Sequence, residues 1–272
     1  MTTRYLLITF TLSFLFGCKA RPDQSTTVST ADSVDSPLSR FYGNWLCKDY
    51  LDELHTKRNS DYNRSITQPH FFELMLSENS KDSVWLLNRT KKLEKFAAKV
   101  IGTDTLLVYS QANDPLIFVY DRFTDQLNLK NTDQENRRKV RPDCIFEKAK
   151  AKYLNSTSSF ESTFDWAVNE NTVANNYVNT RDTTGNITSF TFDGTISGLD
   201  DYEKFNVCIV NCLNGAKFER NIIYLTANDK SQPFAWRISG NYDTLYIYSL
   251  KESEKQFIVD KLKYKLVVTK PR

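Results

Sequence analysis

Residues 96–110 read FAAKVIGTDTLLVYS, and residues 234–249 read FAWRISGNYDTLYIYS. With one inserted residue, Phe, Ala, Gly, Asp, Thr, Leu, Tyr and Ser recur in the same order, while Lys99/Arg237 and Val100/Ile238 are conservative pairs. The likeness extends both ways. SVWLLNR (83–89) stands upstream as NIIYLTA (221–227) does, and LIFVYDRFTDQLNLKN (116–131) follows as QFIVDKLKYKLVVTK (256–270) does. Three matches in one order indicate a duplicated unit of roughly a hundred residues. Each copy is a chain of short β-branched and aromatic runs punctuated by Asn, Asp and Gly. Strands are predicted near 43–48, 70–77, 83–89, 96–101, 105–110, 115–121, 125–130 and 143–148. In the second copy they are predicted near 174–180, 187–196, 204–211, 219–226, 233–239, 244–250, 255–260 and 263–269. Short helices are predicted at 48–55 and around 160–173. Eight short antiparallel strands per copy favour closure, because a closed sheet has no unpaired edge. The expected fold class is therefore all-β: two tandem small antiparallel barrels, residues 40–148 and 175–272, joined by a linker with a short helix at 149–174.

The N-terminus has a different character. Arg4 precedes an uncharged apolar stretch, Tyr5 to Phe16. It is too short to span a bilayer, which takes about 20 apolar residues, and suits the apolar region of a secretory signal. The segment Leu15-Phe16-Gly17-Cys18 that follows resembles the lipobox of bacterial lipoproteins. The resemblance implies a signal peptide over 1–17, cleavage before Cys18, and acylation of the Cys18 thiol and amine. Residues 18–39 are rich in Ser, Thr and Asp and poor in large apolar side chains, so a disordered tether is expected, reaching roughly 25 Å as a random coil. Membrane attachment would then be by the N-terminal lipid, and the expected location is the cell envelope. The outer membrane is favoured, because Lys19 stands where some lipoproteins carry an Asp that retains them at the inner one.

Composition narrows the function classes. The 272 residues are 40% hydrophobic, 13% aromatic and 25% charged, enough to bury a substantial core. The formal charge is +3, of which Arg4 leaves with the signal; no nucleic-acid partner is expected from so small an excess. The dense basic run Arg137, Arg138, Lys139, Arg141 reads as a solvated loop between strands. Export places the remaining four cysteines in an oxidising compartment. Cys47 lies on the first predicted strand and Cys144 opens the eighth. In a closed barrel these strands are neighbours, so a Cys47–Cys144 disulfide is expected. Cys208 and Cys212 are too close in sequence to pair along one straight strand. They either pair, if Cys212 already sits in the turn Leu213-Asn214-Gly215, or remain separate small buried hydrophobes.

The first copy opens with Phe41-Tyr42-Gly43-Asn44-Trp45, which resembles the G-x-W signature of lipocalins. Thr124-Asp125-Gln126 stands where that family often has Thr-Asp-Tyr. The resemblance implies a Trp45 that plugs one end of an eight-stranded barrel, with Arg137, Arg138 or Arg141 packed over it. The second copy resembles a lipocalin-like domain of bacterial lipoproteins through SFTFDGTISG (189–198), FAWRISGNYDTLYIYS (234–249) and YKLVV (264–268). It has Asn175-Asn176-Tyr177 where a G-x-W would stand. Its N-terminal half also aligns in a second register, with Phe192-Asp193-Gly194 against Phe41-Tyr42-Gly43.

Catalytic motifs are absent: there is no G-x-S-x-G, P-loop, G-x-G-x-x-G or H-E-x-x-H. With two histidines, His55 and His70, a tris-histidine metal site is excluded. Asp52, Glu53, His55 and His70 read as a solvated helix end and loop rather than metal ligands. Asp121/Asp125 and Asp200/Asp201 are the carboxylate pairs that could serve a hydrolase. No catalytic residue, metal or cofactor is expected. The expected role is a membrane-anchored binding or interaction module, holding a small apolar or amphipathic molecule or an envelope protein. The alternative is a structural lipoprotein with packed barrels, with an extracytoplasmic hydrolase the third reading. Strand aromatics such as Trp85, Phe118, Tyr246 and Trp236 would fill or line the barrels.

Overall fold

The computed structural model describes residues 38–58, 69–80, 82–109, 115–130, 144–154, 162–181, 185–210, 212–213, 221–253 and 256–269. The expected signal, the lipid-attachment residue Cys18 and the expected tether as far as residue 37 lie outside them, as do Arg137, Arg138, Lys139 and Arg141. Leu38 and Ser39, expected in the tether, belong to the turn that opens the first barrel. A 3-10 turn, Ser39–Phe41, leads into β1 (Gly43–Cys47) and α1 (Lys48–Lys57). The first barrel continues with β2 (Phe71–Leu76), β3 (Ser83–Asn88), β4 (Leu93–Ile101), β5 (Thr105–Tyr109), β6 (Leu116–Asp121), β7 (Gln126–Lys130) and β8 (Cys144–Lys148). Helices α2 (Ala151–Leu154) and α3 (Ser162–Thr172) follow. The second barrel is β9 (Asn175–Asn179), β10 (Ile187–Phe190), β11 (Thr195–Leu199), β12 (Tyr202–Cys208), β13 (Ile222–Ala227), β14 (Lys230–Ile238), β15 (Thr244–Ser253) and β16 (Gln256–Val268). Each set of eight closes in sequence order, β1 against β8 and β9 against β16.

Alternation along the strands builds each interior. In the first barrel Trp45 pairs with Leu74, Leu74 with Leu86, Leu106 with Phe118, and Leu127 with Phe146. All of these side chains are fully buried. In the second, Val207, Ile223 and Phe234 form one buried row, and Trp236, Ile247 and Tyr264 another. Interior-facing positions thus carry large apolar side chains in both barrels.

The repeated segments start on β3 in the first barrel and β13 in the second and match strand for strand through β6 and β16; β7, the rest of 116–131, has no separate counterpart because 256–270 forms one strand. The matched elements are therefore the third to sixth strands of one ring and the fifth to eighth of the other. An offset of two preserves strand direction in an antiparallel ring, so both copies close in the same sense. The same offset sets β11 against β1, which is the register that matches Phe192-Asp193-Gly194 with Phe41-Tyr42-Gly43. Gly43 and Gly194 both have positive φ, 115° and 86°.

The division into strands differs from the sequence expectation in two places. The run 187–196 is a hairpin, β10 and β11, because Asp193-Gly194 turns the chain. A Cβ on Gly194 would stand 2.8 Å from the Phe205 carbonyl oxygen. Conversely, 255–260 and 263–269 form one strand, β16. The polar pair Asp260-Lys261 is absorbed by register shifts against β15 rather than by a turn, and the Ser249 hydroxyl bonds Asp260 and accepts from the Lys261 N–H.

Helix α3 touches both barrels. Phe164 stacks on Phe72 at 4.6 Å and lies 6.1 Å from Tyr50 of α1. At the other side Asn169 donates to the Phe192 carbonyl at 3.1 Å and accepts from the Val207 N–H at 3.4 Å. One apolar cluster consequently runs from Phe41 to Leu266. The end of α1 adds a second link, where Arg58 lies over the Tyr242 ring and the Tyr242 hydroxyl donates to the Thr56 carbonyl at 2.9 Å. Glu170 of α3 ties down α2. Burial opposes its charge, but Lys150, Lys152 and Tyr153 outweigh that and hold its carboxyl down at about 2.

Candidate functional site

The residues that carry the lipocalin resemblance meet at one end of the first barrel. Trp45 is fully buried, and its Nε1 donates to the Phe41 carbonyl at 2.8 Å. Tyr120 packs edge-on against both Phe41 and Trp45 and donates its hydroxyl to Asp125 at 2.7 Å. Among the described residues the cation over Trp45 is Lys148, with Nζ 5.0 Å from the ring and 3.7 Å from Asp125. Arg137, Arg138 and Arg141, which the resemblance offered for that place, lie outside the described residues. Lys148 stands directly opposite Trp45 in the β1–β8 register, so the closing strand itself supplies the cation. This end is therefore a plug: the 3-10 turn, an aromatic triad and one ion pair fill it.

Both remaining cysteine pairs form disulfides. Cys47–Cys144 bridges the first and last strands of the first barrel, with Cα atoms 6.5 Å apart. Cys208–Cys212 spans the end of β12, with Cα atoms 5.5 Å apart. The second pairing is possible because β12 ends at Cys208 and the chain turns before Cys212.

The carboxylate and histidine candidates are dispersed. On α1, Asp52 pairs with Lys48 and Glu53 with Lys57, each one helical turn apart. His55 and His70 are exposed, and burial together with Arg58 lowers the His55 pKa. Asp121 caps its own hairpin by accepting from the Phe123 N–H at 2.9 Å, which depresses its pKa. Asp125 is engaged by Tyr120 and Lys148, and Asp200 accepts from the Tyr264 hydroxyl. Among the described residues no three His, Cys, Asp or Glu side chains gather as a metal site would require.

A groove of about 660 Å³ opens at the end of the second barrel opposite α3. Asn179, Arg181, Asn186, Ile187, Leu199 and Asp200 line it, from the β9–β10 and β11–β12 connections. Leu199 is buried and forms the apolar floor, while Ile187 is 58% exposed. Asn179 accepts from the Arg181 backbone N–H at 3.1 Å. The Arg181 guanidinium donates to the Lys263 carbonyl at 3.3 Å, and its other donors have no partner among the described residues. Gly198 sets the width at this point. Its φ is +72°, and a Cβ would fall 2.3 Å from the Ile187 carbonyl oxygen, so β10 and β11 approach here only because the residue is glycine. Thr188, wholly buried, fixes the same contact by donating to the Gly198 carbonyl at 2.8 Å. Burial, reinforced by the bond to Asp200, raises the Tyr264 pKa, so its hydroxyl stays a donor at neutral pH.

No motif marks Arg181, Asn179 or Asn186 in the sequence. They sit in an ordinary polar connection between strands, and only the pairing of β10 with β9 and β11 gathers them with Leu199 and Asp200. Compared with protein-family models, curated proteins and solved structures, the chain gives no match. The architecture, two closed eight-stranded antiparallel barrels, is consistent with a calycin-type fold.

Proposed function

We propose that the protein is a lipid-anchored binding module of the cell envelope that holds a small amphipathic molecule at the open end of its second barrel. The groove carries this reading. Its chemistry is a guanidinium beside two amides and a carboxylate, over an apolar floor. A ligand with a carboxylate or phosphate for Arg181 and an apolar portion for Ile187 and Leu199 matches that lining. Native mass spectrometry of the protein purified from its own host tests it. A co-purifying mass is expected, and Arg181→Ala is expected to lower its occupancy at least tenfold, the scale of one charge-assisted hydrogen bond. The large side chains at interior-facing positions favour a second reading, a structural envelope lipoprotein with packed barrels. Protein that carries no added mass, with Arg181→Ala indistinguishable from it, would select that second reading.

Anchoring rests on Leu15-Phe16-Gly17-Cys18. Cells making Cys18→Ser are expected to accumulate uncleaved precursor that takes up no labelled fatty acid. Normal processing and labelling of that variant would remove the lipid anchor from the proposal.

A further inference from the structure

Phe123 is the most exposed large apolar residue among those described, at 101% of its reference area. It stands at the tip of the β6–β7 hairpin, and the tip is tightly held. Asp121 accepts from the Phe123 N–H, Asp125 takes a left-handed φ of 52°, and Tyr120 and Lys148 grip Asp125. Arg122 is pinned to the neighbouring β4–β5 turn by bonds to Asp104 at 3.1 and 3.2 Å and to Thr103 at 3.0 Å. The fold thus holds an aromatic ring out into water rather than letting it collapse onto the barrel. Full exposure of a Phe side chain forgoes much of the free energy its burial would supply.

The location gives the exposure a meaning. Arg40 reaches the same Asp104 that Arg122 does, and Phe41 packs on Tyr120 of the same hairpin. The chain therefore enters the first barrel at the end where Phe123 projects. Ile101, 49% exposed, ends β4 beside it at the base of the β4–β5 turn. Leu38 is twenty residues beyond Cys18, so a lipid on that cysteine tethers this end of the barrel first. The charges at the tip nearly balance: Arg40, Arg122 and Lys148 face Asp104, Asp121 and Asp125. Contact by apolar insertion fits such a surface better than attraction to an anionic one.

We infer that Phe123, flanked by Ile101, inserts into the lipid surface to which the protein is tethered, and so sets the orientation of the first barrel on the membrane. The inference rests on the lipid-anchor reading and is tested separately from it. Acylated full-length Phe123→Trp is reconstituted in phosphatidylcholine vesicles, with and without brominated acyl chains. Tyr109→Trp serves as control, since Tyr109 is 45% exposed at the opposite end of the same barrel. The emission added by Phe123→Trp is expected to shift to the blue and to be quenched by the brominated lipid, and the emission added by Tyr109→Trp is not. Absence of quenching at position 123, or equal quenching at both positions, overturns the orientation. Protein that takes up no fatty acid defeats the anchor reading alone. Its sedimentation with the same vesicles then decides the inference. Phe123→Ser is expected to weaken partitioning at least tenfold, as the loss of one buried Phe implies, and unchanged partitioning rejects the insertion.

Discussion

Glu73→Gln is expected to stabilise the protein strongly at pH 8 and to change it little at pH 4. Glu73 is fully buried on β2, beneath the N-terminal turn of α3. Its Oε1 accepts from the Asn44 amide at 2.9 Å, and it also accepts from the Phe164 backbone N–H, while Oε2 has no hydrogen-bond partner among the described residues. Burial pushes the carboxyl up to about 8. The Asn44 and Phe164 donors pull it down, and Asp165 nearby adds to the rise. Lys91, which reaches that side, is spent on Asp165. The folded protein thus holds a proton that the unfolded chain releases near 4.5. Stability from this group is complete below pH 4.5 and is lost progressively as pH rises to 8. At 1.36 kcal/mol per tenfold, the carboxyl costs about 4 kcal/mol at pH 8 relative to pH 4. Gln keeps the acceptor for Asn44 and cannot ionise, so the slope of stability against pH should flatten between 4.5 and 8. Urea denaturation at several pH values measures it, and parallel profiles for parent and variant would show that Glu73 is already ionised in the folded state.

Glu73 also marks where sequence legibility ends. FFELML reads as a strand with one outward carboxylate, and that is what β2 is. What buries the carboxylate is α3, which arrives from beyond the first barrel and covers the outer face of β1 and β2. The helix is legible near 160–173, and Phe164 and Trp166 point to packing on a barrel, but no local pattern names the strands it covers. The strands of the first barrel are legible because Gly, Asn and Asp punctuate each one. Between 187 and 199 the alternation runs straight through Asp193-Gly194, and the hairpin is hidden inside an apparently continuous strand. Trp45 and Asp125 are legible through the resemblance, whereas Lys148 is not: its place over Trp45 is a property of ring closure, not of spacing. The groove is the extreme case. Arg181, Leu199 and Asp200 share no motif, and only the pairing of β10 with β9 and β11 sets them around one space. Local chemistry specifies the strands, but the site depends on which strands become neighbours.

Removing the Cys47–Cys144 bond is expected to cost far more than removing Cys208–Cys212. The first barrel is closed by β1 and β8, each five residues long, through only three registered pairs: Trp45 with Lys148, Leu46 with Glu147, and Cys47 with Phe146. Cys144 lies two residues back along β8 from the partner of Cys47, within disulfide reach, so the bond stitches the seam at the end opposite the Trp45 plug. It joins positions 97 apart and ties almost the whole barrel into one loop in the unfolded chain, whereas the second bond joins positions 4 apart. The chain-entropy relation assigns about 4.7 kcal/mol to the long loop and about 2 kcal/mol to the short one. For a folded body of this size the long loop corresponds to roughly 10 °C or more in melting temperature. Cys47→Ala/Cys144→Ala should therefore melt well below Cys208→Ala/Cys212→Ala. Its amide exchange should rise first along β1 and β8, while the second barrel keeps its protection. Equal melting temperatures for the two double variants would mean that hydrogen bonding and the Trp45 plug hold the seam without the bond.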